Sequence, residues 1–166
     1  DVIAAGEGEV LVPSLLEAVS EATSRDDLLK NLAGRRGFYI PSVYDVTYRD
    51  DSTIDAYVPK DGTGAPPVVK KAALKTTEAV DPPCTSIFTP DTEFGSRFLI
   101  EVVRGCANLC RFCWAGYNYL PVRGFSRATI VERAKQVRPF TDKIGPVSTA
   151  GCDHPDATTV LQHEVL

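Results

Sequence analysis

The residues of this chain that most clearly indicate chemistry are three cysteines in one short stretch. Cys106, Cys110 and Cys113 follow the pattern C-x3-C-x2-C, and Arg104 and Arg111 lie beside them. Because thiolates are soft ligands, such a cluster favours zinc, copper(I) or an iron–sulfur centre. Packing does not require three thiols within eight residues, so the pattern predicts a loop that binds a metal.

The fourth coordination position distinguishes the kinds of metal site that remain open. A structural zinc site usually takes four ligands from two loops, and Cys152 or His154 could complete such a site. A 4Fe-4S site of the ferredoxin type also takes four thiolates. Three cysteines alone suit a cubane whose fourth iron binds an exogenous ligand. The spacing therefore leaves two alternatives: an iron–sulfur centre with an open iron, and a non-catalytic module that binds zinc or a structural iron–sulfur cluster.

The elements around the cysteines follow a strand–helix–strand–helix order. The apolar run Phe98–Val103 predicts a buried strand that leads directly into the cysteines. Ser126 is placed to cap the next helix. The apolar face of that helix is predicted to contain Ile130, Val131, Ala134 and Val137. Residues 143–150 predict a second strand despite Pro146, and Asp156 can cap a final helix. This order predicts parallel βα units.

The N-terminal residues also predict alternating strand and helix. The small, apolar run Asp1–Gly6 predicts a short buried parallel strand. An amphipathic helix is expected to follow, with Pro13 in its first turn, where no internal N–H bond is lost. Ser24 is predicted to cap a second helix. We expect the Arg35-Arg36 pair to lie at the solvated end of that helix.

The middle of the chain changes first to strand periodicity and then to a turn-rich composition. Alternating apolar residues on both sides of Asp50–Thr53 predict a β-hairpin. Residues 62–90 are rich in glycine, proline and threonine, which predicts an extended connector that contains the domain boundary. One strand is predicted within it, at Val68–Leu74. Cys84 lies in this connector and is predicted to be a free thiol.

Composition narrows the class of protein. Hydrophobic residues make up 43% and charged residues 24%, which is typical of a globular domain rather than a disordered one. The net charge of −4 gives no signal for nucleic-acid binding, and no apolar run is long enough for a membrane span. Closely spaced cysteines favour a reducing compartment, so we expect a cytoplasmic protein. The strand pattern at the start and the helical pattern at the end predict an internal fragment of a longer protein.

The cysteine pattern, with an aromatic residue just before the third cysteine, resembles the signature of radical S-adenosylmethionine (radical SAM) enzymes. In that family the thiolates corresponding to Cys106, Cys110 and Cys113 hold three irons of a 4Fe-4S cluster. SAM binds the fourth iron, and its reductive cleavage yields a 5′-deoxyadenosyl radical. The resemblance implies that Phe112 lies near the adenine. It also implies that Arg123 contacts the SAM carboxylate or a cluster sulfur, with a surface ion pair as the alternative for this arginine.

Other segments resemble the radical SAM subgroup with a cobalamin-binding-type domain ahead of the barrel. Arg104–Cys106, Trp114–Gly116 and Leu120–Arg123 fit that subgroup, and Asp1–Glu9 resembles the last strand and turn of its N-terminal domain. The cobalamin-ligand histidine motif would lie upstream, so cobalamin is expected only in the full-length protein. Arg123–Arg127 also resembles methylthiotransferases of the radical SAM family, which remain an alternative.

The resemblance implies an α/β chain in three parts. Residues 1–36 would be the C-terminal end of a Rossmann-like, cobalamin-binding-type domain. Residues 37–96 would form a hairpin and extended connector, and residues 97–166 the first two βα units of a partial TIM-type radical SAM barrel. A complete barrel takes roughly 200 residues or more, so we expect the isolated chain to be inactive. No catalytic residue and no substrate is assigned.

The resemblance also implies partners and further cofactor contacts. An electron donor such as flavodoxin or ferredoxin would reduce the cluster. The family's glycine-rich motif for the SAM amino group would fall at Thr149–Cys152, where the match is loose. His154 is either a functional group at the mouth of the barrel or a loop histidine bonded to Asp153 or Asp156.

Overall fold

The chain divides between Lys75 and Thr76 into two units, each with its own hydrophobic core. The computed structural model describes residues 1–162. The division falls inside the predicted connector, residues 62–90. The three-part division that the family resemblance implies stays a prediction.

Unit 1, Asp1–Lys75, contains two helices and four short strands among its elements. In chain order these are β1 (Ile3–Ala4), α1 (Gly8–Glu21), α2 (Arg25–Ala33), β2 (Phe38–Tyr39), β3 (Tyr44–Tyr48) and β4 (Ile54–Pro59). A short 3-10 helix, Pro41–Val43, precedes β3. Strands β1 and β2 form one antiparallel pair and β3 and β4 another. The predicted hairpin is therefore confirmed as β3 and β4.

The first strand differs from its prediction in both burial and pairing. β1 runs antiparallel to β2, and Ile3 is 56% exposed, so the expected buried parallel strand is wrong. A single parallel bridge joins Gly6 to Ala72. The pairing follows from the chain's return at Gly37, whose carbonyl accepts the Ala5 N–H at 2.6 Å. A local run of small apolar residues indicates a strand but does not identify its partner.

Helix α1 contains a proline beyond its first turn. Pro13 lies inside α1, which begins at Gly8, so the expected first-turn position is wrong. An interior proline removes one helix N–H bond and costs about 3 kcal/mol in an exposed helix. The helix persists because its other face packs in the core of unit 1, where Leu11 and Ala18 are buried. Tertiary packing thus outweighs a local preference.

Helix α2 begins where the sequence predicts. The Ser24 hydroxyl accepts the Asp27 N–H at 3.1 Å. The Asp27 carboxylate in turn accepts the Thr23 N–H at 3.0 Å, and this bond lowers the pKa of Asp27. Both bonds satisfy backbone donors near the start of the helix, which confirms Ser24 as the cap.

The sequence predicted that Arg35 lies at a solvated helix end, but in the structure this residue joins the two helices. Its guanidinium donates to the Glu17 carboxylate at 2.6 Å and to the Glu21 carboxylate at 2.8 Å, and its side chain is 22% exposed. It also donates to the Ser14 carbonyl at 3.1 Å. Arg36 is exposed and donates to the Lys71 carbonyl. The ion pairs connect positions far apart in the chain, which explains why local sequence did not reveal them.

The strand predicted at Val68–Leu74 does not form. Of these residues, Ala72 makes the single bridge to Gly6, and Val68 is 67% exposed. Apolar composition is not enough for a strand when no neighbouring strand runs alongside it. The segment is nevertheless anchored, because the Leu74 N–H donates to the buried Glu7 carboxylate at 2.9 Å.

Unit 2, Thr76–Leu166, contains a three-stranded sheet, and the three clustered cysteines follow its central strand. Its elements are β5 (Phe98–Arg104), α3 (Ala115–Asn118), β6 (Arg123–Gly124), α4 (Arg127–Val137), β7 (Ile144–Ser148) and α5 (Ala157–Gln162). A 3-10 helix, Gly151–Asp153, precedes α5. The strand order is β6-β5-β7, with β7 parallel and β6 antiparallel to β5.

The parallel pairing of β5 and β7 confirms the two predicted strands, and α4 lies between them in sequence as expected. The Ser126 hydroxyl accepts the Thr129 N–H at 3.1 Å, which confirms the predicted cap. The four residues predicted for the apolar face of α4 are all buried. Strand β6 was not predicted, since two residues are too few to show periodicity. Membership of a partial TIM-type barrel stays a prediction.

Candidate functional site

The three cysteines lie on a loop closed by strand pairing, residues 105–122, which we call the cysteine loop. It leaves the C-terminal end of β5 and returns as β6, so that Arg104 lies opposite Arg123. Strand β7 ends at the same end of the sheet, because it runs parallel to β5. The Thr149 hydroxyl, just after β7, donates to the Gly105 carbonyl at 2.6 Å. The loop is thus tied to both strands at its base.

The base of the cysteine loop is tightly built around Gly105. This residue has φ of 89°, a conformation that favours glycine. A Cβ at this position would lie 2.4 Å from the Tyr119 carbonyl oxygen. Arg123 donates from Nε to the Pro121 carbonyl at 3.0 Å and from Nη2 to the Tyr119 carbonyl at 3.3 Å. Arg123 is only 8% exposed, so the surface position in the predicted alternative is wrong.

The three thiols occupy different environments. Cys106 is 8% exposed, and its sulfur accepts a hydrogen bond from the Asn108 amide at 3.2 Å. Cys110 is exposed and Cys113 is partly exposed. The Cys113 N–H donates to the Cys110 carbonyl at 2.9 Å, which forms a turn between the second and third cysteines. Leu109, before that turn, has φ of 49°.

The donor set has the chemistry of a soft-metal site, but its atoms are not gathered. All three cysteines are free thiols, and residues 102–131 contain no aspartate or glutamate that would compete as a hard ligand. Within residues 1–162, no group of three or more cysteine, histidine, aspartate or glutamate side chains is arranged to hold a metal ion.

Exposed aromatic side chains lie close to the cysteines in the chain. Phe112 is 92% exposed, Trp114 is 66% exposed and Tyr117 is 53% exposed. The Tyr117 hydroxyl donates to the Leu109 carbonyl at 2.9 Å, which braces the loop. Tyr119 packs edge-on against Trp114, with ring centres 5.4 Å apart. Phe112 therefore presents an uncovered ring beside Cys113, and its adenine contact stays a prediction.

A shielded ion pair precedes the cysteine loop, and sequence reasoning missed it. Arg104 donates to both carboxylate oxygens of Glu101, at 2.9 and 2.6 Å. The two side chains are 10% and 19% exposed, and the guanidinium carbon lies 5.9 Å from the centre of the Phe125 ring. The available signal was a glutamate inside an apolar strand, since a charge in such a place needs a partner.

His154 is a buried structural residue in this conformation. It is 5% exposed, and its Nε2 lies 2.7 Å from the Phe125 carbonyl oxygen. The Asp156 N–H donates to its Nδ1 at 2.9 Å. These bonds assign the proton to Nε2 and leave neither nitrogen open to a metal. Of the two alternatives, the loop histidine agrees with the geometry, although the bond is to the backbone of Asp156.

The remaining two cysteines do not join this site. Cys84 is exposed, has no disulfide partner and forms an antiparallel bridge with Ile100 through its backbone. The predicted free thiol is thus confirmed. Cys152 is an exposed free thiol on the 3-10 helix after β7. It lies near the end of the sheet from which the cysteine loop leaves, but among the described residues it is not part of a metal-binding group.

Comparison with protein-family models, with curated proteins and with solved structures gives no significant match. Within the part of the chain that the structure describes, no helix combines the length and apolar character needed to cross a membrane.

Proposed function

We propose that this chain carries the cluster-binding segment of a radical SAM enzyme. Cys106, Cys110 and Cys113 are the proposed ligands of a 4Fe-4S cluster, with SAM on its open iron. The observation that carries the proposal is the closed cysteine loop, which presents three free thiols where a parallel strand ends. Functional loops commonly follow the carboxyl ends of parallel strands. A cytoplasmic location belongs to the same proposal.

The three thiols have different roles in the proposed metal site. Buried Cys106 is the fixed ligand, because the Asn108 amide already donates to its sulfur. Cys110 and Cys113 are accessible and close the site when the turn between them moves toward Cys106. Hydrogen bonds to ligand sulfur tune the potential of such sites, so Asn108 would raise it. When bound, the cluster supplies a one-electron reductant.

The surroundings of the thiols support an adenine contact and an electron donor as parts of the proposal. Phe112 offers an exposed ring on which a base can stack. Among residues 102–131 the charged side chains are arginines only, and Arg111 and Arg127 are exposed. An acidic electron donor such as flavodoxin or ferredoxin fits that charge. The substrate stays unassigned, and cobalamin is proposed only for a longer protein.

Anaerobic reconstitution with iron and sulfide tests the proposal. Wild-type protein should gain thiolate-to-iron absorption near 400 nm and bind about four irons per chain. Cys106→Ser, Cys110→Ser and Cys113→Ser should each lower bound iron at least about fivefold, because each removes one of three ligands. Cys84→Ser and Cys152→Ser are matched controls and should retain the wild-type iron content.

Two results would contradict the proposal. A colourless protein with one zinc ion that also depends on Cys152 would identify the zinc module instead. Equal iron loss in the Cys84→Ser control would show that iron is bound non-specifically.

A further inference from the structure

We propose that Arg123 is a positioning residue that closes the cysteine loop and holds Cys106 in its buried place. It acts through the Tyr119 and Pro121 carbonyls and Gly105 rather than by touching a cofactor. The inference deepens the proposed function and rests on it only where a metal is involved. The sequence resemblance assigned Arg123 to SAM or to a cluster sulfur, so this is a different role for the same side chain.

The guanidinium of Arg123 is buried among backbone acceptors. Arg123 is 8% exposed and donates to the carbonyls of Pro121 and Tyr119, two and four residues before it. The planar fork of an arginine can serve two carbonyls that point in different directions, whereas a lysine ammonium is a single point donor. Both bonds fix the final turn of the cysteine loop.

Arg123 and Gly105 link the end of the cysteine loop to its beginning. The two carbonyls held by Arg123 are the atoms that a Cβ on Gly105 would meet, at 2.4 Å for Tyr119 and 3.2 Å for Pro121. Gly105 therefore leaves the space into which Arg123 draws both carbonyls. Its φ of 89° is strained for any residue with a side chain.

Thr149 also holds Gly105 in place. The Thr149 hydroxyl donates to the Gly105 carbonyl at 2.6 Å, which ties the residue to the segment after β7. Cys106 is the next residue in the chain and is buried. The closing contacts thus come from Arg123, Gly105 and Thr149. Together they keep the thiol of Cys106 buried.

Alkylation of individual thiols tests this role without any metal. Native apo-protein is treated with N-ethylmaleimide, and each cysteine is followed by peptide mass spectrometry. In the wild type, Cys106 should react more slowly than exposed Cys84, which serves as the internal reference. In Arg123→Gln the rate at Cys106 relative to Cys84 should rise at least about tenfold, because the loop opens locally.

Two further variants and a control sharpen the result. Gly105→Ala should raise the Cys106 rate in the same direction, since its Cβ pushes the same carbonyls away. Arg123→Lys should restore part of the protection. Arg138→Gln, the same chemical change at an exposed arginine after α4, should leave the rate at the wild-type value.

Amide hydrogen exchange separates positioning from general destabilisation. In Arg123→Gln, faster exchange should be confined to residues 105–123, while β5, β7 and α4 keep their protection. Equal acceleration throughout unit 2 would overturn the proposal, as would an unchanged Cys106 rate.

Reconstitution distinguishes this inference from the proposed function. If wild-type protein binds a cluster, Arg123→Gln should bind less iron and Arg123→Lys should recover part of it. If wild-type protein binds none, the proposed function fails, and the alkylation and exchange results still decide the role of Arg123.

Discussion

Cys106 and Cys110 lie four positions apart in the sequence, yet water reaches only the second of them freely. The difference comes from neighbours that the spacing pattern does not include. Asn108 donates to the Cys106 sulfur, and Gly105 and Arg123 close the backbone around it. A cysteine motif therefore identifies candidate ligands without ranking their accessibility, which decides how each thiol reacts.

At the residue scale, His154 should contribute to stability rather than to metal binding. His154→Phe removes the partners of the Phe125 carbonyl and of the Asp156 N–H. Leaving the buried Phe125 carbonyl unsatisfied costs about 1–3 kcal/mol, and the loss at the exposed Asp156 adds a smaller amount, so the free energy of unfolding should fall by about 1–4 kcal/mol. Urea denaturation followed by circular dichroism measures this change.

The matched control for this prediction is Asp153→Asn, an exposed neighbour that should change stability by no more than about 0.5 kcal/mol. The interpretation would be contradicted if His154→Phe unfolded like the wild type. A structural role also predicts that iron bound by the folded variant stays at the wild-type level.

At the element scale, the β5–α4–β7 arrangement brings the cysteine loop and Thr149 to the same end of the sheet. Pro146 lies within β7 opposite Ile100, and this strand tolerates it. Strand β7 is an edge strand of the described three-stranded sheet. The backbone N–H that proline lacks would therefore have no partner in a further described strand. Edge position thus explains why the predicted strand forms despite its proline.

The turn before α1 provides an element-scale prediction with a built-in control. Gly6 has φ of 142°, and a Cβ there would lie 1.9 Å from the Ala72 carbonyl oxygen. Gly6→Ala should therefore break the bridge to Ala72 and lower the free energy of unfolding by about 3 kcal/mol or more. Gly8 has no atom within 4 Å of its Cβ position, so Gly8→Ala should be nearly neutral.

Urea denaturation of the two glycine variants checks this contrast. The prediction would be wrong if the two variants had the same midpoint. It would also be wrong if Gly6→Ala kept slow amide exchange at Glu7, whose N–H donates to the Ala72 carbonyl at 2.8 Å in the wild type.

At the scale of the whole molecule, each unit has a core of its own. Unit 1 buries Phe38, Leu32 and Ile40 in one cluster, and unit 2 buries Ile100, Phe125 and others in a second. Separate cores indicate that cleavage of the connector should leave two folded fragments.

Limited trypsin digestion tests this expectation, because Lys75 and Thr76 are both exposed at the division. The first products should be residues 1–75 and 76–166, and the smaller one should keep a cooperative urea transition. Lys75→Gln is the control and should delay this cut by about tenfold or more, since it removes the trypsin site. First cuts inside α1 or α4 would contradict the prediction.

The sequence by itself determined the features whose causes lie within a few residues. Periodicity predicted β5, β7 and the β3–β4 hairpin, and side chain to backbone bonds over three residues placed the caps Ser24 and Ser126. The spacing of the three cysteines was likewise sufficient to identify them as candidate ligands. These signals are local, so they do not depend on how distant segments pack.

Only the tertiary structure decided the features whose partners are distant in the chain. It paired β1 with β2, joined Arg35 to Glu17 and Glu21, and enclosed His154 against Phe125. It also buried Arg123 among carbonyls, a position that its sequence context did not indicate. Burial and hydrogen bonding depend on which segments meet in space, and that is a property of the whole fold rather than of any short stretch.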